Sequence, residues 1–94
     1  MLFTLYCADK PDSLPIRQDT RSAHIEYLDA HVDQIKYGGP LFDDDNKTPV
    51  GSLIIIEVGD RAAAEKFAAE DPYNKAGLFE SVVIKGTRQV YPKG

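Results

Sequence analysis

A chain of 94 residues, 43% hydrophobic and 28% charged, has the composition of a globular protein and room for one hydrophobic core, so a single domain over residues 1–94 is expected. Its net charge of −4 and pI near 5.0 leave no basic face to displace counterions from phosphates, which argues against nucleic acid as a partner. The lone Cys7 cannot close an internal disulfide, residues 1–8 lack the basic and apolar regions of a signal peptide, and no apolar run approaches the ~20 residues of a membrane span; the expected location is cytoplasmic, away from the membrane.

Residues 2–8 read as a first strand, with Phe3, Leu5 and Cys7 on one face and Leu2, Thr4 and Tyr6 on the other. A loop with Pro11 and Pro15 follows, then a helix over about residues 17–36, in which Ile25, Leu28, Val32 and Ile35 form one apolar stripe. Gly38-Gly39-Pro40 reads as the stop of that helix. Leu41-Phe42 reads as a short strand, and Asp43 to Lys47 as a solvated turn. Residues 50–58 form the strongest strand, apolar on both faces at Leu53-Ile54-Ile55-Ile56. Asp60 is placed to cap a helix over residues 61–70, which Asp71-Pro72 ends because a residue before proline disfavours helical backbone. Residues 73–77 make a turn, residues 79–85 a fourth strand, and residues 87–91 a fifth strand or a tail that contacts a partner. The order β-α-β-β-α-β is the split βαβ of a ferredoxin-like α+β fold, an antiparallel sheet with both helices on one face. Strands apolar on both faces predict cover for the second face as well, and in so short a chain that cover is a second copy, a homodimer.

Arg17, Arg21 and His24 fall in the first turns of the long helix, Arg21 within the apolar stripe and the other two at its edge. Charged groups on an inward helix side cost desolvation energy unless paired or set in a wet cavity. The plain alternative is that all three extend to solvent at the helix end, where surface ion pairs are common and weak. His24 adds a group that titrates near neutrality and can give or take a proton. His31 reads as a partly exposed structural residue. Asp71 reads first as a helix stop, although a carboxylate at a helix C-terminus opposes the macrodipole by ~0.3–1 kcal/mol and calls for a cation such as His24 or Arg21.

Metal and cofactor signatures are lacking. The Asp43-Asp44-Asp45 run has neither the glycine nor the terminal glutamate of a calcium loop, and one cysteine with two separated histidines offers no zinc set. Gly38-Gly39-Pro40 is too short for a phosphate loop, and Ser22 and Ser81 lie in no nucleophile elbow. Cys7, between apolar neighbours in a strand, reads as core.

Several segments together resemble the YciI-like family: Asp9-Lys10-Pro11-Asp12-Ser13-Leu14, Arg17, and Arg21-Ser22-Ala23-His24-Ile25-Glu26-Tyr27-Leu28; then Gly39-Pro40-Leu41 with Gly51-Ser52-Leu53, and Asp71-Pro72-Tyr73 with Ala76-Gly77-Leu78-Phe79. The resemblance spans nearly the whole chain. It implies a ferredoxin-like fold assembled as a dimeric α/β barrel, with a His–Asp site in a cleft near the dimer interface. His24 and Asp71 match the family's histidine and aspartate, and Arg17 and Arg21 match flanking basic positions. One member of the family is associated with dehydrochlorination of a chlorinated hydroxyquinone.

The expected function is cofactor-independent acid/base chemistry (elimination, isomerisation or hydrolysis) on a small, anionic organic substrate. His24 would be the general acid/base, Asp71 its orienting partner, Arg17 and Arg21 the anion holders, and Tyr6 or Tyr73 a pocket wall. Two alternatives stand beside it: a non-catalytic module that binds a small molecule in the same cleft, and a buried His24–Asp71 pair that only sets the dimer interface.

Overall fold

The computed structural model describes residues 1–93. In chain order the elements are β1 (Leu2–Asp9), α1 (Leu14–Ala30), β2 (Ile35–Phe42), β3 (Pro49–Glu57), α2 (Arg61–Glu70), α3 (Pro72–Lys75) and β4 (Phe79–Thr87). The four strands form one antiparallel sheet in the order β2-β3-β1-β4. This is the expected ferredoxin-like α+β arrangement, with α3 as a short addition after α2.

Strand alternation puts Phe3, Leu5 and Cys7 of β1, Ile54 and Ile56 of β3, and Ile84 of β4 on the helix side, where all are buried. Against them pack Ala64, Phe67 and Ala68 of α2, Tyr73 of α3 and Leu78. Each large aliphatic side chain in this layer contributes roughly 1.5–3 kcal/mol of burial. The opposite face stays open: Tyr6, Tyr37 and Val83 are about half exposed there.

Helix α1 departs from the expected span at both ends. It starts at Leu14, with Pro15 in its first turn, where a missing N–H costs nothing. It ends at Ala30, and a single 3-10 turn (Val32–Gln34) leads into β2. Val32 is 64% exposed and Ile35 begins a strand, so the expected apolar stripe is not the inward one. The side of α1 turned to the core carries Ile16, Arg17, Thr20, His24, Tyr27 and Leu28, all buried or half-buried. Gly38-Gly39-Pro40 is therefore no helix stop but the middle of β2. That strand lies at the sheet edge, where proline is tolerated because it lacks only a donor that an edge can spare. Residues 87–91 add no fifth strand to the sheet beyond the end of β4 at Thr87.

The second half follows expectation more closely. Asp60 caps α2, its side chain accepting from the Ala63 amide at 2.9 Å. Gly51 of β3 pairs with Ala8 of β1, and a Cβ there would run into the Cys7 carbonyl oxygen. Gly51→Ala must push the two central strands apart, and we expect it to lower stability by about 1–3 kcal/mol in urea denaturation, with the sheet's circular dichroism retained. Unchanged stability would count against this close approach.

Candidate active site

Two ionisable residues on the inward side of α1, two turns apart, govern the local geometry. Arg17 and His24 are each only 6% exposed. An unpaired charge at that depth costs several kcal/mol, so each needs a partner supplied by another element.

For Arg17 the partner is Asp9, at the end of β1. Nε donates to Asp9 Oδ2 at 2.8 Å and Nη2 to Oδ1 at 2.9 Å, a two-pronged guanidinium–carboxylate pair, while Nη2 also donates to Ser52 Oγ at 3.0 Å. Burial pulls the guanidinium toward neutrality, but the Asp9 hydrogen bonds and charge outweigh it, and Arg17 remains firmly cationic. Asp9 and Ser52 were not singled out from sequence. Alternation could have found both: residues 3, 5, 7 and 9 share one face of β1, and 52, 54 and 56 one face of β3.

For His24 the partner is Asp71, 47 positions away, with Nδ1 2.8 Å from Oδ1. The same oxygen accepts the Tyr73 backbone N–H at 2.9 Å. Asp71 ends α2 and caps the N-terminus of α3. Its poor position at one helix end is thus offset by a favourable one at the next, and Pro72 sits where the first residue of that next helix wants it. Because Oδ1 is an acceptor, Nδ1 carries the hydrogen and the lone pair of neutral His24 resides on Nε2. Among the described residues every fully buried side-chain nitrogen or oxygen has a hydrogen-bond partner, whereas His24 Nε2 makes no hydrogen bond; Nε2 is therefore the accessible end of the ring.

Tyr73 fills the space between the two charged residues. Its ring stacks on the His24 imidazole (centroids 3.9 Å apart, 16° between planes) and lies 4.7 Å from the Arg17 guanidinium carbon. Positions 17 and 24 are roughly 10 Å apart along the helix axis, which leaves room for one ring between them. Burial raises the Tyr73 phenol above its ordinary pKa, although Arg17 and Arg21 pull it down; the group stays neutral and able to donate. A continuous buried chain results: Asp9, Arg17, Tyr73, His24, Asp71. Cys7 lies beneath it, its thiol pushed up to about 12 by burial, with the Asp71 charge adding to the effect, so it is no nucleophile at neutral pH.

The three middle members of that chain, Arg17, Tyr73 and His24, stand on one wall of a cleft of about 510 Å³ between α1 and the β2–β3 hairpin. Of the residues expected at the site, Arg17, Arg21, His24 and Tyr73 line it, and Asp71 stands behind His24. Arg21 is exposed, not at the centre of the inward side, because α1 is rotated relative to the expected stripe. Tyr6 is not there: it pairs with Leu53 and Val83 on the open face of the sheet, opposite the helices. The alternation that buries Cys7 sends its neighbour outward. Gly38, Gly39 and Pro40, with Lys47 and Thr48, form the facing wall. His31 keeps a structural place, with Nδ1 2.8 Å from the Tyr27 carbonyl oxygen and its ring against Tyr27 and Phe67. No group of three or more histidine, cysteine or acidic side chains is arranged to hold a metal ion among the described residues.

Removing one member of a buried charge pair leaves the other unmatched. Asp9→Ala is expected to cost about 3–5 kcal/mol in chemical denaturation, whereas Glu70→Ala on the exposed side of α2 should stay within about 0.5 kcal/mol. Equal small effects would show that Arg17 does not depend on Asp9.

The architecture and site can be set beside known proteins. A structure of 5-chloro-2-hydroxyhydroquinone dehydrochlorinase (TftG) from Burkholderia phenoliruptrix AC1100, in complex with 2,5-dihydroxybenzoquinone, superposes with a TM-score of 0.85 at 35% identity, over 94% of each chain. An antibiotic biosynthesis monooxygenase shares the fold alone, at 18% identity and a TM-score of 0.51 over 95% of this chain and 100% of the other. Protein YciI of Escherichia coli O6:H1 is 35% identical over 97% of this chain and 100% of its own length. The YCII-related domain model matches residues 1–88, a span that carries β1 through β4 and every residue of the buried chain, and the protein belongs to that family.

Proposed function

We propose that the protein is a small enzyme that uses His24 and Asp71 for cofactor-independent proton transfer on a small anionic organic substrate. The observation that carries this reading is the combination of the dyad and its cleft: His24 presents a free Nε2, and the cleft is lined by Arg17, Arg21 and Lys47 with no aspartate or glutamate. In a chain with 15 acidic and 11 basic side chains, a cleft with cations only is a selected environment for an anion.

His24 Nε2 takes a proton from a carbon or oxygen acid of the substrate, and Asp71 holds the ring and stabilises the imidazolium that forms. The proton then returns to another substrate atom in an isomerisation, or a leaving group departs from the adjacent carbon with its bonding electrons in an elimination. Tyr73 keeps the ring plane fixed and presents a neutral phenol toward oxygen charge that develops on the substrate. Arg17, locked to Asp9 and Ser52, supports the stack, while the more exposed Arg21 is free to meet the substrate's anionic group. The TftG neighbour, a dehydrochlorinase bound to a hydroxyquinone, supports elimination on an enolic acid as the first chemistry to test.

Chloride release from 5-chloro-2-hydroxyhydroquinone provides that test, alongside calorimetric binding of 2,5-dihydroxybenzoquinone. His24→Ala is expected to lower kcat by about 10²–10⁴-fold with binding retained. Binding by the wild type without turnover of this or related activated substrates would replace the enzyme with a binding module in the same cleft. A purely structural dyad fits poorly with a histidine on a cleft wall; it would regain ground if neither ligand binds.

The same reading includes a homodimer, supported by the open sheet face where Tyr6, Tyr37 and Val83 stand half exposed beside Leu53 and Ile55. Sedimentation equilibrium is expected to give twice the chain mass of 10.4 kDa, and Tyr6→Glu, at the centre of that face, to give the monomer. A monomeric wild type would refute it.

A further inference from the structure

Two of the three cations that line the cleft have no acidic partner, and they stand on opposite walls. Arg17 is neutralised by Asp9. Arg21, on α1, and Lys47, on the turn between β2 and β3, form no ion pair with any carboxylate among the described residues. Lys47 belongs to the run Asp43-Asp44-Asp45-Asn46-Lys47, whose acidity would be expected to cancel it.

The turn's hydrogen bonds occupy two of its three carboxylates: Asp43 Oδ1 accepts the Asp44 N–H at 2.9 Å, and Asp45 is tied to Lys47 and Thr48. Asp45 Oδ1 accepts the backbone N–H groups of Lys47 at 2.8 Å and Thr48 at 2.9 Å, and Oδ2 accepts the Thr48 hydroxyl at 2.5 Å. These bonds hold the Asp45 carboxyl below its usual pKa. The Asp43 carbonyl accepts the Asn46 N–H at 2.9 Å, and Asn46 takes the left-handed backbone conformation (φ 58°). Asp45 is thus spent on fixing the turn, and the turn delivers Lys47 and Thr48 to the cleft wall that faces α1.

We propose that Lys47 is a specificity-determining residue, and that with Arg21 it selects substrates carrying two separated anionic groups over those carrying one. This rests on the anion-binding cleft of the proposed function and narrows its substrate class to organic dianions. Arg21 takes the acidic group nearer His24, and Lys47 takes the one at the hairpin side. Asp45 acts as a positioning residue through the turn. Both cations are near solvent, so the selection is modest and weakens with salt.

Terephthalate and its monomethyl ester provide a matched dianion and monoanion of one shape. Titration followed by backbone-amide NMR of the intact protein is expected to show terephthalate bound about 2–5-fold more tightly at low salt, the preference shrinking toward unity at ~0.5 M salt. In Lys47→Gln the preference should disappear because terephthalate affinity falls more than that of the monoester, and Lys47→Arg should restore it. Asp45→Asn should reduce the preference without touching monoester binding. A preference that survives in Lys47→Gln, or equal affinities in the wild type, overturns the inference while leaving the anion-binding cleft in place. Failure of both ligands to shift cleft resonances overturns the inference together with the anionic-substrate reading beneath it.

Discussion

Burying two ionisable side chains on the inward side of α1 is the constraint from which the rest of the site follows. Arg17 and His24 reach the depth of the core, where a lone charge is not tolerated, and the helix itself offers no carboxylate to either. Asp9 has to arrive from the end of β1 and Asp71 from the junction of α2 and α3. The sheet order β2-β3-β1-β4 makes both arrivals possible: β1 runs centrally under the helices, and the second crossover brings the α2–α3 junction against α1. Polar pairing here does a job that apolar packing does elsewhere in the molecule, since it decides how α1 is rotated and where it sits.

That rotation has a functional consequence. With Arg17 and His24 pointed inward, Tyr73 is held between them, its ring flat against the imidazole that Asp71 engages at Nδ1. A general base gains most from this kind of restraint, because its lone pair stays aimed along one line. The accessible Nε2 faces a cleft whose charged side chains are all cationic, so the ring that would accept a proton and the field that would hold an anion share one space.

Much of the fold is legible in the primary structure, for local reasons. The alternation of β1 and β3, the Asp60 cap of α2 and the break at Asp71-Pro72 depend on short-range chemistry and appear where expected. The misreadings occur where tertiary context overrides a local signal. Gly38-Gly39-Pro40 carries a strong helix-stop pattern, yet an edge strand accommodates it. Val32 and Ile35 complete an apolar stripe on paper, yet α1 has ended before either. The inward side of that helix is instead polar at Arg17, Thr20 and His24, a pattern that hydrophobic periodicity cannot detect because the burial is stabilised by partners distant in sequence.

By itself, then, the sequence determines the element order, the antiparallel ferredoxin-like sheet, the family, and the residue types of the buried His24–Asp71 pair. These rest on side-chain period, turn chemistry and motifs that span a few residues each. Only the tertiary structure decides which residues meet: Asp9 and Ser52 with Arg17, Tyr73 between Arg17 and His24, Lys47 across the cleft from Arg21, and Tyr6 on the far face of the sheet. The physical reason is range. A strand's alternation or a helix cap is settled within a few residues, whereas the partner of a buried charge is settled by the packing of the whole sheet against its helices, and nothing near His24 in the chain announces Asp71, 47 residues away.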